Sequence, residues 1–133
     1  MSDRNLCDLH LLLQPWYLRL VSDLKTEGIV VRMIQGWRDP AYQDQLHAQG
    51  VSPLTGADSK HCYVDSNGAP ASKAFDLGVF EEDGAYVVDG NDPRYARAGS
   101  LWNQYALSAP SMNLVWGGDF VHPKPDPDHF QMS

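Results

Sequence analysis

The sequence predicts an α+β fold, a small and mostly antiparallel sheet with flanking helices. Three observations predict it. Short β-branched or alternating runs, such as IVVRMI (29–34) and KAFDLGVF (73–80), have strand length. Two Asp-Pro pairs, at 39–40 and 92–93, stand where helices should begin. The runs follow in the order helix, strand, helix, strand, strand, helix, strand, strand, without the regular alternation of a parallel sheet.

Residues 5–27 carry Leu6, Leu9, Leu13, Leu20 and Leu24 at spacings compatible with one helical face. Pro15 either kinks that segment or starts a second helix at its first turn. Glu27-Gly28 is a stop signal, and IVVRMI then reads as a buried strand. Asp39 as N-cap, Pro40 in the first turn and Gly50 just past the end frame a helix over 40–49. Arg38 is left at the strand-to-helix junction, where side chains often face a cleft. Residues 51–73 are loop-like. Residues 73–80 and 85–89 pair across EEDG as a hairpin. A helix follows from Asp92-Pro93 to about 108. NLVW (113–116) is a short strand, GGDFVHPKPDP a turn-rich loop, and HFQM (129–132) a final strand.

The 133 residues suit a single domain over 1–133, and 43% hydrophobic content is ordinary for a globular chain. Seventeen acids against ten bases leave a net charge of -7, which argues against a nucleic-acid partner and against charge-driven adhesion to an anionic surface. The longest apolar run, Leu9–Leu13, is far below the roughly 20 residues that span a bilayer, so no membrane insertion is expected. The N-terminus has no signal-peptide pattern, which places synthesis in the cytoplasm. Cys7 and Cys62 then read as free thiols, and their spacing matches no four-ligand zinc ribbon.

Of five histidines, His10 and His47 lie on predicted helices with no partner nearby in sequence. Both read as surface or satisfied-core residues. His61 sits in the long loop. Asp76 interrupts an apolar strand. In period-2 geometry it shares a face with Ala74 and Gly78, while Phe75, Leu77 and Val79 face the core. Small neighbours leave room above the carboxylate, although a solvent-facing acid on a half-exposed strand is the plainer reading. His129 and Gln131 likewise face away from Phe130 and Met132. A His/Asp/His set on sheet faces suits a three-ligand zinc site with an open fourth position. A metallohydrolase also needs a general base outside the ligand set. Asp126 is placed for that. Asp128, adjacent to His129, would point to the opposite face if the strand begins there.

Four stretches, in order, resemble the zinc peptidases of the D-alanyl-D-alanine carboxypeptidase family, closest to the L-alanyl-D-glutamate endopeptidase branch of phage endolysins. They are GWRDPAYQDQLHAQG (36–50), SKH with SKAFDLGV (59–61 and 72–79), WGGDF (116–120) and DPDHFQ (126–131). The resemblance implies the hedgehog/DD-peptidase fold and a Zn2+ cofactor held by His61, Asp76 and His129. It implies Asp126 as catalytic acid and Arg38 as the substrate-facing arginine. Ser59 matches the serine before the first ligand, and Trp116 and Asp119 match a turn that shapes the substrate cleft. The family places its aspartate seven residues after the first histidine; here the separation is fifteen. CYVDSNGAPAS supplies the extra length, with DSNG as a hairpin tip and Asp65 as a competing ligand.

The resemblance implies a monomeric, zinc-dependent peptidoglycan hydrolase acting on the stem peptide. It would be made in a host cytoplasm and reach the wall on release. The alternatives are a D-Ala-D-Ala carboxypeptidase or dipeptidase, and a non-catalytic zinc-containing binding module of the same fold.

Overall fold

A computed structural model describes residues 3–122 and 124–133; Met1, Ser2 and Pro123 lie outside it. Three α-helices and a five-stranded antiparallel sheet follow in the order α1 (Gln14–Thr26), β1 (Val30–Gln35), α2 (Pro40–Ala48), β2 (Ala74–Phe80), β3 (Tyr86–Val87), α3 (Pro93–Ser108), β4 (Val115–Trp116) and β5 (His129–Gln131). The architecture is α+β, as the element order predicts.

Capping chemistry sets the helix starts. The Asp39 and Asp92 carboxylates accept hydrogen bonds from Ala41 N and Arg94 N, and each is followed by a proline whose missing N–H would have been unpaired there anyway. The N-terminal helix is shorter than its leucine spacing predicts. Residues Leu6–Asp8 form a 3₁₀ turn and the α-helix begins only at Gln14. The reason is tertiary. Ser72 N donates to Asp8 O and His10 N to Ser72 O, so the backbone at 8–10 pairs across the fold instead of along a helix. Pro15 therefore starts a helix rather than kinking one. The hairpin partner of β2 is also shorter than expected. It ends at Val87, because Asp89 turns the chain toward the α3 cap by accepting from Asn91 N.

The sheet runs β1-β2-β5-β4, with β3 pairing the far end of β2. Alternation on β2 and β5 decides which face is which. Phe75, Leu77, Val79 and Phe130 are fully buried in a core shared with Leu20, Leu24 and Trp102. Phe75 and Phe130 stack at 5.4 Å, and Trp102 meets both rings edge-on. Burying each such ring contributes about 1.5–3 kcal/mol. The opposite face of the same strands is left for polar residues. Cys7 and Cys62 are both free thiols. Among the described residues no helix is long and apolar enough to cross a membrane.

Candidate metal centre and cleft

β2 and β5 pair in a register that sets Asp76 directly opposite His129, and Ala74 opposite Gln131. Residues directly opposite one another in an antiparallel ladder project to the same face. The alternation that buries Phe75 and Phe130 therefore brings Asp76 and His129 together, with His129 Nδ1 3.2 Å from Asp76 Oδ1. A bulge between Met33 and Gln35 on β1 brings Gln35 opposite Asp76 as well.

His61 arrives from a loop. It sits in a 3₁₀ turn (Lys60–Cys62) capped by Ser59, whose hydroxyl oxygen accepts from His61 N at 3.3 Å. Arg38 N donates to the His61 carbonyl at 2.9 Å. The ring is buried, with Nδ1 2.7 Å from Gly36 O and Nε2 3.4 Å from Asp76 Oδ1. A carbonyl only accepts, so Nδ1 carries the proton and Nε2 turns its lone pair toward Asp76. His129 is oriented similarly, through Nε2 at 2.8 Å from Gln131 Oε1, which leaves Nδ1 toward Asp76. Three electron-rich atoms thus converge with their protons directed outward, and His61, Asp76 and His129 together could hold a metal ion. Each imidazole is tethered by its other nitrogen, the support that metal-bound histidines generally have. The donor set fits zinc, which takes imidazole and carboxylate ligands.

The electrostatics agree with a cation site. Burial would push the Asp76 carboxyl up, but the His61 and His129 imidazoles outweigh it and hold the group well below the usual carboxylate range. Burial would lower His129, and the Asp76 carboxylate raises it on balance.

The three donors open onto a cleft of about 680 Å³. Its apolar lining comes from Tyr42 and Leu46 on α2, from Val51 and Leu54 beyond it, and from Phe120, whose ring lies 5.7 Å from that of His129. Asp126 and Asp128 both line the cleft, and their carboxylates lie within 4.8 Å of one another and of Asp76. The strand does not begin at Asp128, so the condition under which it would face away from His129 is not met. Its side chain does not point to the opposite face. Residues 127–128 form a turn rather than the first residues of a strand, so alternation does not apply. Burial, then the Asp126 and Asp76 carboxylates, push Asp128 up to about 8.

Arg38 lines the cleft with its guanidinium held by Gln35 and Gln43 side-chain oxygens, while its buried Nε has no hydrogen-bond partner among the described residues. Gln43 is fully buried and spends its amide N–H groups on Ser52 Oγ and Leu54 O. Ser59 borders the cleft and acts on His61 through its cap. Trp116 and Asp119 do not line the cleft. Trp116 Nε1 donates to Pro127 O at 2.7 Å, and Asp119 accepts from Asn103 on α3. The WGGDF turn instead buttresses the DPDH turn. Asp126 N donates to Gly117 O at 2.8 Å, and a Cβ on Gly117 would lie 2.3 Å from Asp126 O and 2.8 Å from His129 Cβ. Only glycine permits that approach.

Asp65 is not in the constellation. Its carboxylate accepts from Asn67 N and Ala69 N at the tip of a hairpin closed by a Val64–Pro70 bridge. The residues that sequence reasoning left without a role are Gln131, Gln43, Gln35 and Gly36. Gln131 had a signal, since alternation put it beside His129. Gly36 had none, because its carbonyl meets His61 across 25 residues.

No protein-family model matches this chain. Among solved structures, it is similar to the L-Ala D-Glu endopeptidase ChiX of Serratia marcescens, with a TM-score of 0.68 at 20% identity over 100% of this chain and 89% of that one. At that identity the likeness establishes a shared fold.

Proposed function

We propose that this protein is a zinc-dependent peptidoglycan peptidase that hydrolyses the L-Ala–D-Glu bond of the stem peptide. The observation that carries the reading is the convergence of His61 Nε2, Asp76 Oδ1 and His129 Nδ1, lone pairs inward, beside a carboxylate at the mouth of a peptide-sized cleft. The shared fold with an L-Ala D-Glu endopeptidase supports the choice of bond. The four motif stretches support the endolysin branch, with synthesis in a host cytoplasm and release to the wall.

Zinc, when bound by the three residues, would supply the Lewis acidity that makes water a nucleophile near neutral pH. Asp126, exposed beside the donors, takes the proton of the attacking water and returns it to the leaving amine. Asp128 crowds Asp126 and keeps a second carboxyl at hand. Arg38, pre-set by two glutamines, offers its remaining N–H donors to a substrate carboxylate or to the oxyanion that develops at the scissile carbonyl. The apolar lining of Tyr42, Leu46 and Leu54 packs the peptide and excludes water.

The test is digestion of purified peptidoglycan followed by mass spectrometry of the products. New D-glutamate amino termini, with L-alanine left on the muramic acid, are expected. Release of free D-alanine alone would make the protein a carboxypeptidase with the same metal centre. Asp126→Asn should lower turnover about 10²–10⁴-fold while zinc stays bound, because the amide keeps the shape and cannot take a proton. If Asp128→Asn is the inactive variant and Asp126→Asn is not, the two acids exchange roles.

A further inference from the structure

Next to the candidate metal centre, Lys60 and the hairpin that follows His61 bring together three residues that the reaction does not use. Lys73 N donates to Lys60 O at 2.9 Å, and Ala71 N to Tyr63 O at 2.9 Å, so the backbone brings Lys60 and Lys73 together at the base of the hairpin. Both ammonium groups lie against the same ring, Lys73 Nζ 4.2 Å and Lys60 Nζ 5.1 Å from the Tyr63 centroid. Tyr63 is 37% exposed, so the ring is open to a ligand. Lys60 itself lines the cleft.

A single aromatic face attracts one cation, but two ammoniums on one ring repel each other. Nothing nearby relieves that repulsion. Among the described residues neither lysine has a carboxylate within 4.0 Å, whereas Arg19, Arg94 and Arg97 elsewhere are paired with acids. Asp65, the acid on the hairpin, is turned into its own backbone, and Asp58 is bonded to Thr55. In a chain of net charge -7, two cations without an acid partner share one ring beside the cleft that Lys60 lines.

We propose that Lys60, Tyr63 and Lys73 form an accessory subsite that takes a free carboxylate of the substrate peptide, one or more residues away from the scissile bond. The inference rests on the peptidase reading and names the substrate feature that this chain selects, a dicarboxylic residue left unamidated. The anion bridges the two ammoniums, and the Tyr63 ring packs the aliphatic part of the same residue.

The experiment uses two synthetic stem peptides, one with diaminopimelate bearing a free side-chain carboxylate, the other with that carboxylate converted to a carboxamide. Binding is followed by ¹⁵N NMR titration of the full-length, zinc-loaded Asp126→Asn protein, so that it is read without hydrolysis. The acid peptide should bind about 5- to 20-fold more tightly, the range of a charge-assisted contact, with shifts centred on Tyr63 and Lys73. Lys60→Gln with Lys73→Gln in the same background should abolish the preference, and Lys60→Arg with Lys73→Arg should retain it. Equal binding of the two peptides, absence of binding by both, or a preference that survives the double glutamine variant would overturn the proposal. Failure of the peptidase reading shows separately, as wild-type protein that hydrolyses neither peptide.

Discussion

Two halves of the candidate metal centre are held by different means. Asp76 and His129 are held by strand pairing. They face each other in the β2–β5 ladder, and the same backbone that aims them at the cleft aims Phe75 and Phe130 into the core. His61 is held by a loop, through a Ser59 cap, a bond from Arg38 N and the Gly36 carbonyl. The first half draws its precision from a packed core. The second draws it from polar contacts that any loop length can deliver, provided the ends meet. That is why a separation of fifteen between His61 and Asp76 still lets their donor atoms meet. The hairpin is closed at its base by the Lys73–Lys60 backbone bond, and its tip carboxylate, Asp65, is bonded to Asn67 N and Ala69 N rather than to the donor group.

The comparison can be broken at its strongest point first. His129→Ala removes a ligand from the sheet-held half, and metal analysis should find zinc lost and hydrolysis abolished. Full zinc occupancy in that variant would take His129 out of the donor set. Phe130→Ala acts on the same strand from the core side. It should lower stability by about 3–5 kcal/mol in urea unfolding, and zinc affinity should fall with it. Undiminished zinc affinity in a destabilised protein would mean that the ladder does not depend on its core face.

A finer test separates how the two imidazoles are oriented. His129 leans on a side chain, Gln131, and His61 on a backbone carbonyl. Gln131→Ala should weaken zinc about 10–100-fold, or about 1.4–2.8 kcal/mol, as loss of an outer hydrogen-bond partner does. Competition with a chelator measures it. The smallest effect belongs to the hairpin tip. Gly68 has φ 81° with open space where a Cβ would stand, so Gly68→Ala meets only backbone strain. It should cost about 1–2 kcal/mol and leave zinc affinity unchanged. A change in zinc affinity there would show that the hairpin shapes the loop-held half after all.

Much of this was legible in the residues. Asp39-Pro40 and Asp92-Pro93 announce helix starts because capping is local chemistry, settled within three residues. Alternation on AFDLGVF and HFQ separates core from cleft because the strand period is two. What was illegible depended on partners distant in the chain. Residues 5–13 look helical, yet Ser72 claims the backbone at 8–10. Whether alternation applies to Asp128 depends on where the last strand begins, and it sits in a turn where alternation has no force.

By itself, then, the sequence determined the element types, the caps and the faces, because each follows from torsion preferences and hydrophobic period over a few residues. The tertiary structure alone decided that β2 and β5 are neighbours in register, that Gly36 lends its carbonyl to His61, and that Gly117 lets the DPDH turn close against WGGDF. Those are long-range contacts, and their geometry is set by how the core packs, which no local pattern encodes.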